Sequence, residues 1–135
     1  MLTIPSDTAD IVDKGFQILS EWAHNLAFVP SQIAKERPVV IEEWRLGQGA
    51  ENRMQNKWVP VLCTGSRYGA RLPIGELKIL QTYKPETLRR FYDTWYRPDL
   101  MAVVAVGDFD KKTIEALITR YLATIPRATN PRQRT

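Results

Sequence analysis

The first half of the sequence is patterned as helices. From Ile11 to Leu26, apolar side chains recur three or four residues apart, which is the spacing of one buried helical face. Pro30 opens a second helical stretch, which pauses near Gly47. Apolar residues return at helical spacing over Ala50–Leu62, although a proline near the end of that segment also allows a short strand. We favour a helix there.

The second half is predicted to combine helices with one strand. The apolar run Leu100–Val106 is bounded by Pro98 and Gly107, and its continuous hydrophobicity predicts a strand buried on both faces. The remaining segments are an ordered loop over Arg67–Gly75, a short helix over Glu76–Thr82, a helix from Pro85 to Trp95, a last helix over Lys111–Leu122 and a polar tail from Pro126.

The single strand creates a problem of hydrogen bonding. The backbone groups of a buried strand must pair with neighbouring strands, and the sequence offers no second strand of equal quality. We therefore expect the chain to be a fragment whose other strands lie outside it. The predicted fold class is α+β, in the form of a predominantly helical fragment with about five or six helices and one strong strand.

Composition places the chain among ordinary globular proteins. Its 135 residues suit one domain, and 44% hydrophobic with 25% charged residues is typical of a packed fold. No apolar run approaches the roughly 20 residues that span a bilayer, so no transmembrane segment is expected. The first residues lack the pattern of a signal peptide.

The small number of cysteine and histidine residues restricts the disulfides, metal sites and catalytic motifs that the chain can form. One cysteine, Cys63, excludes an internal disulfide and any zinc site built on several thiolates. One histidine, His24, excludes every motif that needs two histidines. The net charge is +4, but the basic residues are spread along the chain and densest in the tail, without a nucleic-acid-binding motif. We expect no nucleic-acid partner.

The segment Lys35–Arg45 carries the candidate chemistry. Glu36 and Glu43 are seven residues apart, so on a helix they fall within about 20° of each other. Val39 and Val40 lie on or beside the same stripe. A carboxylate on an apolar stripe is costly to bury unless it is paired, protonated or bound to a metal ion. The alternative is a solvated helix face with ordinary ion pairs between residues four apart.

Four motifs resemble those of the pitrilysin-like (insulinase-type, M16) zinc peptidases, especially the bacterial members. In the order of that family, they are KERPVVIEEWR at 35–45, SRYGARLPIG at 66–75, LRRFYDTWYRP at 88–98 and MAVVAVGD at 101–108. Each motif is weak alone, and their order along nearly the whole chain makes the resemblance specific. The resemblance implies a piece of the two-layer α/β half-domain of these enzymes.

The resemblance also implies roles for individual residues. These peptidases bind zinc through an HxxEH helix and a glutamate from a later helix, and Glu43 matches that third zinc ligand. Glu36 matches an acidic residue that supports the metal site without binding the ion. Tyr68 and Arg71 lie in the family's loop, where a substrate-binding role is one hypothesis. The alternative is that both residues hold the loop against the sheet.

The chain departs from the family at two points. It contains no HxxEH, so no catalytic residue is assigned within it, and we expect that motif upstream of Met1. Pro38 lies between the two glutamates, where a helical proline kinks the backbone. Residues 1–126 are then the C-terminal portion of an incomplete N-terminal-type M16 domain, and residues 127–135 form a basic linker or tail. Alone, this chain should neither hold zinc tightly nor cleave peptides.

The resulting hypothesis is part of a zinc metalloendopeptidase that hydrolyses peptides or unfolded protein segments, with Zn²⁺ in the full-length protein. Its expected partners are a peptide substrate and a second M16-type half or subunit. A homodimer through the exposed strand edge is also expected. The bacterial members suggest the cell envelope or periplasm. The alternatives are a non-catalytic, peptide-binding half of such a peptidase, or a stand-alone helical interaction module.

Overall fold

A computed structural model describes residues 1–133, and over this range the regular structure is helical. The α-helices are α1 (Ala9–His24), α2 (Pro30–Leu46), α3 (Ala50–Leu62), α4 (Leu77–Thr82), α5 (Pro85–Trp95) and α6 (Lys111–Tyr121). Short 3₁₀ helices occur at Arg67–Ala70 and Pro98–Leu100.

The predicted helices are confirmed, with small differences at their ends. Helix α1 ends at His24, well before the proline expected to stop it. Helix α2 has Val29 as its N-cap and Pro30 at its first position, where a proline costs no hydrogen bond. Helix α2 continues through Pro38, and α3 occupies Ala50–Leu62 as a helix rather than a strand.

The predicted strand is wrong. No residue in the described range 1–133 belongs to a strand, and residues 101–106 follow the second 3₁₀ helix without regular structure. Val104 is 82% exposed and Val106 is 91% exposed. An apolar run becomes a strand only where another backbone supplies hydrogen-bond partners, and no described segment pairs with this one. The described chain is therefore helical rather than α+β, and the strand edge proposed for a homodimer is not formed.

The chain divides into two compact units. The first comprises Met1–Ala27 and the chain from Leu88 onward, and the second is Phe28–Thr87. None of the described helices is both long and apolar enough to cross a bilayer.

The core of the first unit is built by α1, α5 and α6. Phe16, Tyr92 and Ile114 supply its buried apolar side chains, each 6% exposed. The Tyr92 hydroxyl donates a hydrogen bond to the carbonyl oxygen of Trp22 at 2.8 Å, which joins α5 to α1. Burial raises the pKa of Tyr92 above its ordinary value, because the charged phenolate would lose its hydration.

Polar bonds join α1 to α6 within the same unit. The Asp13 carboxylate accepts the Tyr121 hydroxyl at 2.7 Å and the Arg120 guanidinium at 3.0 Å. The bond to Asp13 raises the pKa of Tyr121, because it stabilises the protonated phenol. The Ser20 hydroxyl donates to the carbonyl oxygen of Tyr121 at 2.9 Å. The two helices are thus held in register by paired groups as well as by apolar contact.

The described part of the tail belongs to the first unit, where it is exposed and bonded to Arg97. Arg97 is buried, and its Nη2 donates to the carbonyl oxygen of Arg132 at 2.8 Å. Its Nη1 lies 3.3 Å from the Asp99 carboxylate. The Arg132 guanidinium lies 5.6 Å from the centre of the Trp95 ring, within cation–π range. The assignment of residues 127–135 as a linker or tail stays a prediction.

We predict that α6 depends on its N-cap in a pH-dependent way. The Asp110 carboxylate accepts the Thr113 amide and hydroxyl, each at 2.8 Å, and the bond from the amide holds the pKa of Asp110 below its ordinary value. The unfolded chain therefore binds the proton more readily. The cap's stabilising contribution should be fully present above the unfolded aspartate pKa of about 3.9 and disappear as pH falls through the folded pKa.

Thermal melts followed by circular dichroism across an acid series test this expectation. Asp110→Ala should melt below the parent at neutral pH, and this difference should shrink in acid. Asp110→Asn keeps a cap oxygen without its charge, so it should lie between the two at neutral pH. A difference between parent and Asp110→Ala that stays constant down the acid series would contradict the assignment.

Candidate functional site

Helix α2 presents two different faces within the second unit. Ile33, Val40 and Trp44 are half-buried and pack toward the unit's interior. The other face carries Glu36, Val39, Glu43 and Leu46, all of them exposed, and we call these four residues the open face of α2. Since α2 is continuous, Glu36 and Glu43 lie two turns apart and within about 20° in angle.

The two glutamates of the open face are not used in ion pairs. Neither carboxylate has a hydrogen-bond or ion-pair partner among residues 1–133. Their neighbour Glu42 does pair, with the Arg45 guanidinium at 2.8 Å. The solvated ion-pair interpretation therefore accounts for Glu42 but leaves Glu36 and Glu43 without a structural partner.

The described residues do not form a complete metal site. Within residues 1–133, no group of three or more His, Cys, Asp or Glu side chains could hold an ion. A catalytic zinc ion needs three protein ligands and an open position. Glu43 offers one free carboxylate, so it fits zinc only as one ligand among others supplied from elsewhere. Its assignment as third ligand, and that of Glu36 as a supporting acid, stay predictions.

Arg37 fixes α2 against α4. Its Nη1 donates to the carbonyl oxygen of Gln81 at 2.8 Å, and its Nη2 donates to that of Tyr83 at 2.7 Å. The guanidinium also lies over the Tyr83 ring, 4.3 Å from the centroid. The acceptors are carbonyls at the C-terminal end of α4, which have no partner within that helix. Arg37 therefore holds the helix that carries both glutamates.

The loop after α3 is folded onto that helix. The Ser66 amide donates to the carbonyl oxygen of Cys63 at 2.9 Å, and the Ser66 hydroxyl accepts the Tyr68 amide at 3.2 Å. Gly69 lies so close to α3 that an added Cβ would be 3.3 Å from the Cα of Pro60. The loop packs on α3, and no sheet exists among the described residues, so a role of Tyr68 and Arg71 in holding the loop against a sheet stays a prediction.

A tight turn completes the loop. The Gly75 amide donates to the carbonyl oxygen of Leu72 at 3.0 Å, with Pro73 at the second position of the turn. Gly75 has φ +80°, which a residue with a Cβ adopts only under strain. The turn leads the chain into α4, which begins two residues later at Leu77.

A cleft of about 730 Å³ lies in the second unit between α2, α3, α4 and this loop. Its polar lining includes Gln48, Asn52, Asn56 and Arg71, and Trp44 forms part of its apolar wall. We call these five residues and the space between them the amide cleft. Asn56 Nδ2 donates to Asn52 Oδ1 at 2.8 Å, and Gln48 Nε2 donates to the carbonyl oxygen of Trp44 at 2.9 Å.

The structure separates the two loop residues that the sequence singled out. Arg71 lines the amide cleft, whereas Tyr68 is 77% exposed and does not line it. The substrate-binding role of either residue remains untested. Asn52 and Asn56 were not predicted from the sequence, although their spacing of four residues places both on one face of a helix.

The family model and the relatives that match this chain agree with one another. Residues 82–135 match the family model described as the Peptidase M16 inactive domain. The probable zinc protease PqqL of Haemophilus influenzae is 37% identical over 122 residues, which cover 90% of this chain and 13% of that protein. The zinc protease PQQL-like of Arabidopsis thaliana is 35% identical over 133 residues, covering 98% of this chain and 14% of that protein.

A solved structure shares the arrangement of the helices. The crystal structure of the first half of the periplasmic protease PqqL from Escherichia coli has a TM-score of 0.89 to this chain and 33% sequence identity. The match covers 98% of this chain and 28% of that one. The chain therefore spans 13–14% of the two curated relatives described above and about a quarter of the solved half.

We predict that Arg37 is a main support of the second unit. Arg37→Met removes both charge-assisted hydrogen bonds and should lower the free energy of unfolding by roughly 2 kcal/mol. Arg37→Lys keeps the charge but cannot reach both carbonyls with a planar fork, so its loss should be intermediate. Urea unfolding followed by circular dichroism measures both.

Arg45→Met is the matched control, since Arg45 lies on the same helix and forms only the exposed pair with Glu42. Its effect should stay below about 0.5 kcal/mol. Equal losses for Arg37→Met and Arg45→Met would show that the bonds from Arg37 to α4 do not support the unit.

Proposed function

Because this chain is homologous to the M16 zinc peptidases, we propose that it is a segment of a zinc metalloendopeptidase and contributes the glutamate ligand of the metal. The substrates are peptides or unfolded protein segments. The remaining ligands and the catalytic base belong to an HxxEH segment elsewhere in the longer polypeptide. The periplasm is the proposed compartment, by analogy with the Escherichia coli protease.

The observation that carries this proposal is the free carboxylate of Glu43 on the open face of α2. Two apolar side chains share that face, Val39 at 57% exposure and Leu46 at 81%. Coverage of these side chains by another part of the protein would also desolvate Glu43. A carboxylate withdrawn from water needs a compensating positive charge, and a zinc ion supplies one.

Each residue has a limited role in this proposal. Glu43 donates one carboxylate to the ion, and Glu36 supports the site from two turns earlier on the same face. Arg37 sets the position of the helix through its bonds to Gln81 and Tyr83. When bound, zinc would supply Lewis acidity and would lower the pKa of a water molecule. This chain supplies a ligand and its support.

A second candidate is the non-catalytic half of such a peptidase, with a structural or peptide-binding role. The description of the matching family model as an inactive domain favours it. That match begins at residue 82, however, and both Glu36 and Glu43 precede it. The retained pair of glutamates therefore favours the catalytic half, whose second partner would be another M16-type half or subunit.

We predict that zinc affinity requires Glu43 in a polypeptide extended upstream to include the HxxEH segment. Calorimetric zinc titration should show tight binding by this protein and negligible binding by the 135-residue chain. Glu43→Gln should abolish tight binding and peptide hydrolysis. Glu36→Gln should weaken zinc binding by about 10–100-fold, as expected for a residue that supports a ligand.

Glu42→Gln is the control, because Glu42 is adjacent in sequence but is paired with Arg45 on another face of α2. It should bind zinc like the parent protein. Unchanged zinc affinity in Glu43→Gln would exclude Glu43 as a ligand. Absence of both upstream histidines would exclude the catalytic half and leave the non-catalytic one.

A further inference from the structure

The amide cleft contains hydrogen-bonding groups that are only partly used. The bond from Asn56 Nδ2 to Asn52 Oδ1 leaves the Asn52 amide nitrogen as a donor and the Asn56 oxygen as an acceptor. Gln48 donates to the carbonyl oxygen of Trp44, which leaves its own oxygen as an acceptor. The cleft therefore offers both kinds of group that a peptide backbone can use.

The spacing of the two asparagines fits an extended chain. Asn52 and Asn56 are four residues apart in α3, so they are separated along the helix axis by about 6 Å. Backbone groups on one edge of an extended peptide repeat every two residues, or about 6.6–6.8 Å. Each asparagine can therefore form hydrogen bonds with one of two successive peptide groups on that edge.

The remaining residues that line the cleft indicate which kind of side chain the bound peptide would carry. Trp44, Leu72 and Leu77 are half-buried and line the cleft. Arg71 and Glu76 also line it, and their opposite charges leave the wall without a net charge. An uncharged, apolar side chain suits this lining better than an acidic or basic one. The volume of about 730 Å³ lies within the range of ligand-binding clefts.

We propose that the amide cleft binds an extended peptide segment, with Asn52 and Asn56 hydrogen-bonded to its backbone and one apolar side chain against Trp44 and Leu72. The inference rests on the proposed function for peptide as the ligand class. Trp44 follows Glu43 directly in α2, about 100° around the helix. The cleft is therefore a binding subsite beside the metal ligand, separate from the open face.

Peptide binding to the metal-free 135-residue chain tests the proposal. The probe is a fluorescein-labelled heptapeptide with a central leucine between glycine and serine residues, and fluorescence anisotropy gives its Kd. The double variant N52A/N56A removes both asparagine side chains and should bind about tenfold more weakly, the effect of one or two lost hydrogen bonds. Alanine favours a helix more than asparagine does, so α3 should remain folded.

Two controls distinguish recognition of the peptide backbone from nonspecific binding of the probe. Gln55→Ala removes an amide from the same helix outside the cleft lining and should bind like the parent chain. A probe N-methylated on both sides of its leucine loses backbone donors and should bind the parent chain about tenfold more weakly. A central aspartate in place of leucine should also weaken binding.

The proposal is overturned if the parent chain does not bind the probe, or if N52A/N56A binds it as well as the parent does. Equal binding of the N-methylated probe would also overturn it. The assay contains no zinc, so its result does not depend on the assignment of the metal ligand. A failure here therefore leaves the zinc assignment standing, whereas a failure of the zinc titration leaves this binding result intact.

Discussion

Two hydrogen bonds from Arg37 to the C-terminal end of α4 hold α2 in its rotation about its own axis, and this rotation places Glu36, Glu43 and Trp44. The guanidinium reaches the carbonyl oxygens of Gln81 and Tyr83 at 2.8 and 2.7 Å. Two acceptors on a planar donor restrict orientation more than a single bond does. Trp44 lies seven residues after Arg37 and therefore shares its side of the helix.

The same rotation turns the glutamates outward. Glu36 immediately precedes Arg37, and Glu43 immediately precedes Trp44. The face of the two glutamates therefore lies about 100° from the face that carries Arg37 and Trp44. The face with Arg37 and Trp44 anchors α2 within the unit and forms part of the cleft wall. The open face of α2 is left free. That free face also carries the exposed apolar side chains of Val39 and Leu46.

Much of this arrangement follows from local sequence, and the rest depends on contacts that no local pattern records. Helical spacing and prolines at first positions predicted the helices, because those signals act within a few residues. The strand over Leu100–Val106 failed because pairing needs a distant backbone, and an apolar run alone cannot supply it. Asn52 and Asn56 were missed because a cleft exists there only once the loop containing Gly69 folds back onto α3.

Pro38 lies in α2 between Glu36 and Glu43, the two residues with proposed roles at the metal site. A helical proline removes one backbone hydrogen bond, so the turns on either side can tilt relative to each other. Glu36 and Arg37 precede it, whereas Glu43 and Trp44 follow it. The alignment of Glu36 with Glu43 is therefore sensitive to bending at Pro38. The position of Glu43 relative to Trp44 is less sensitive, because these two residues are adjacent and lie on the same side of Pro38.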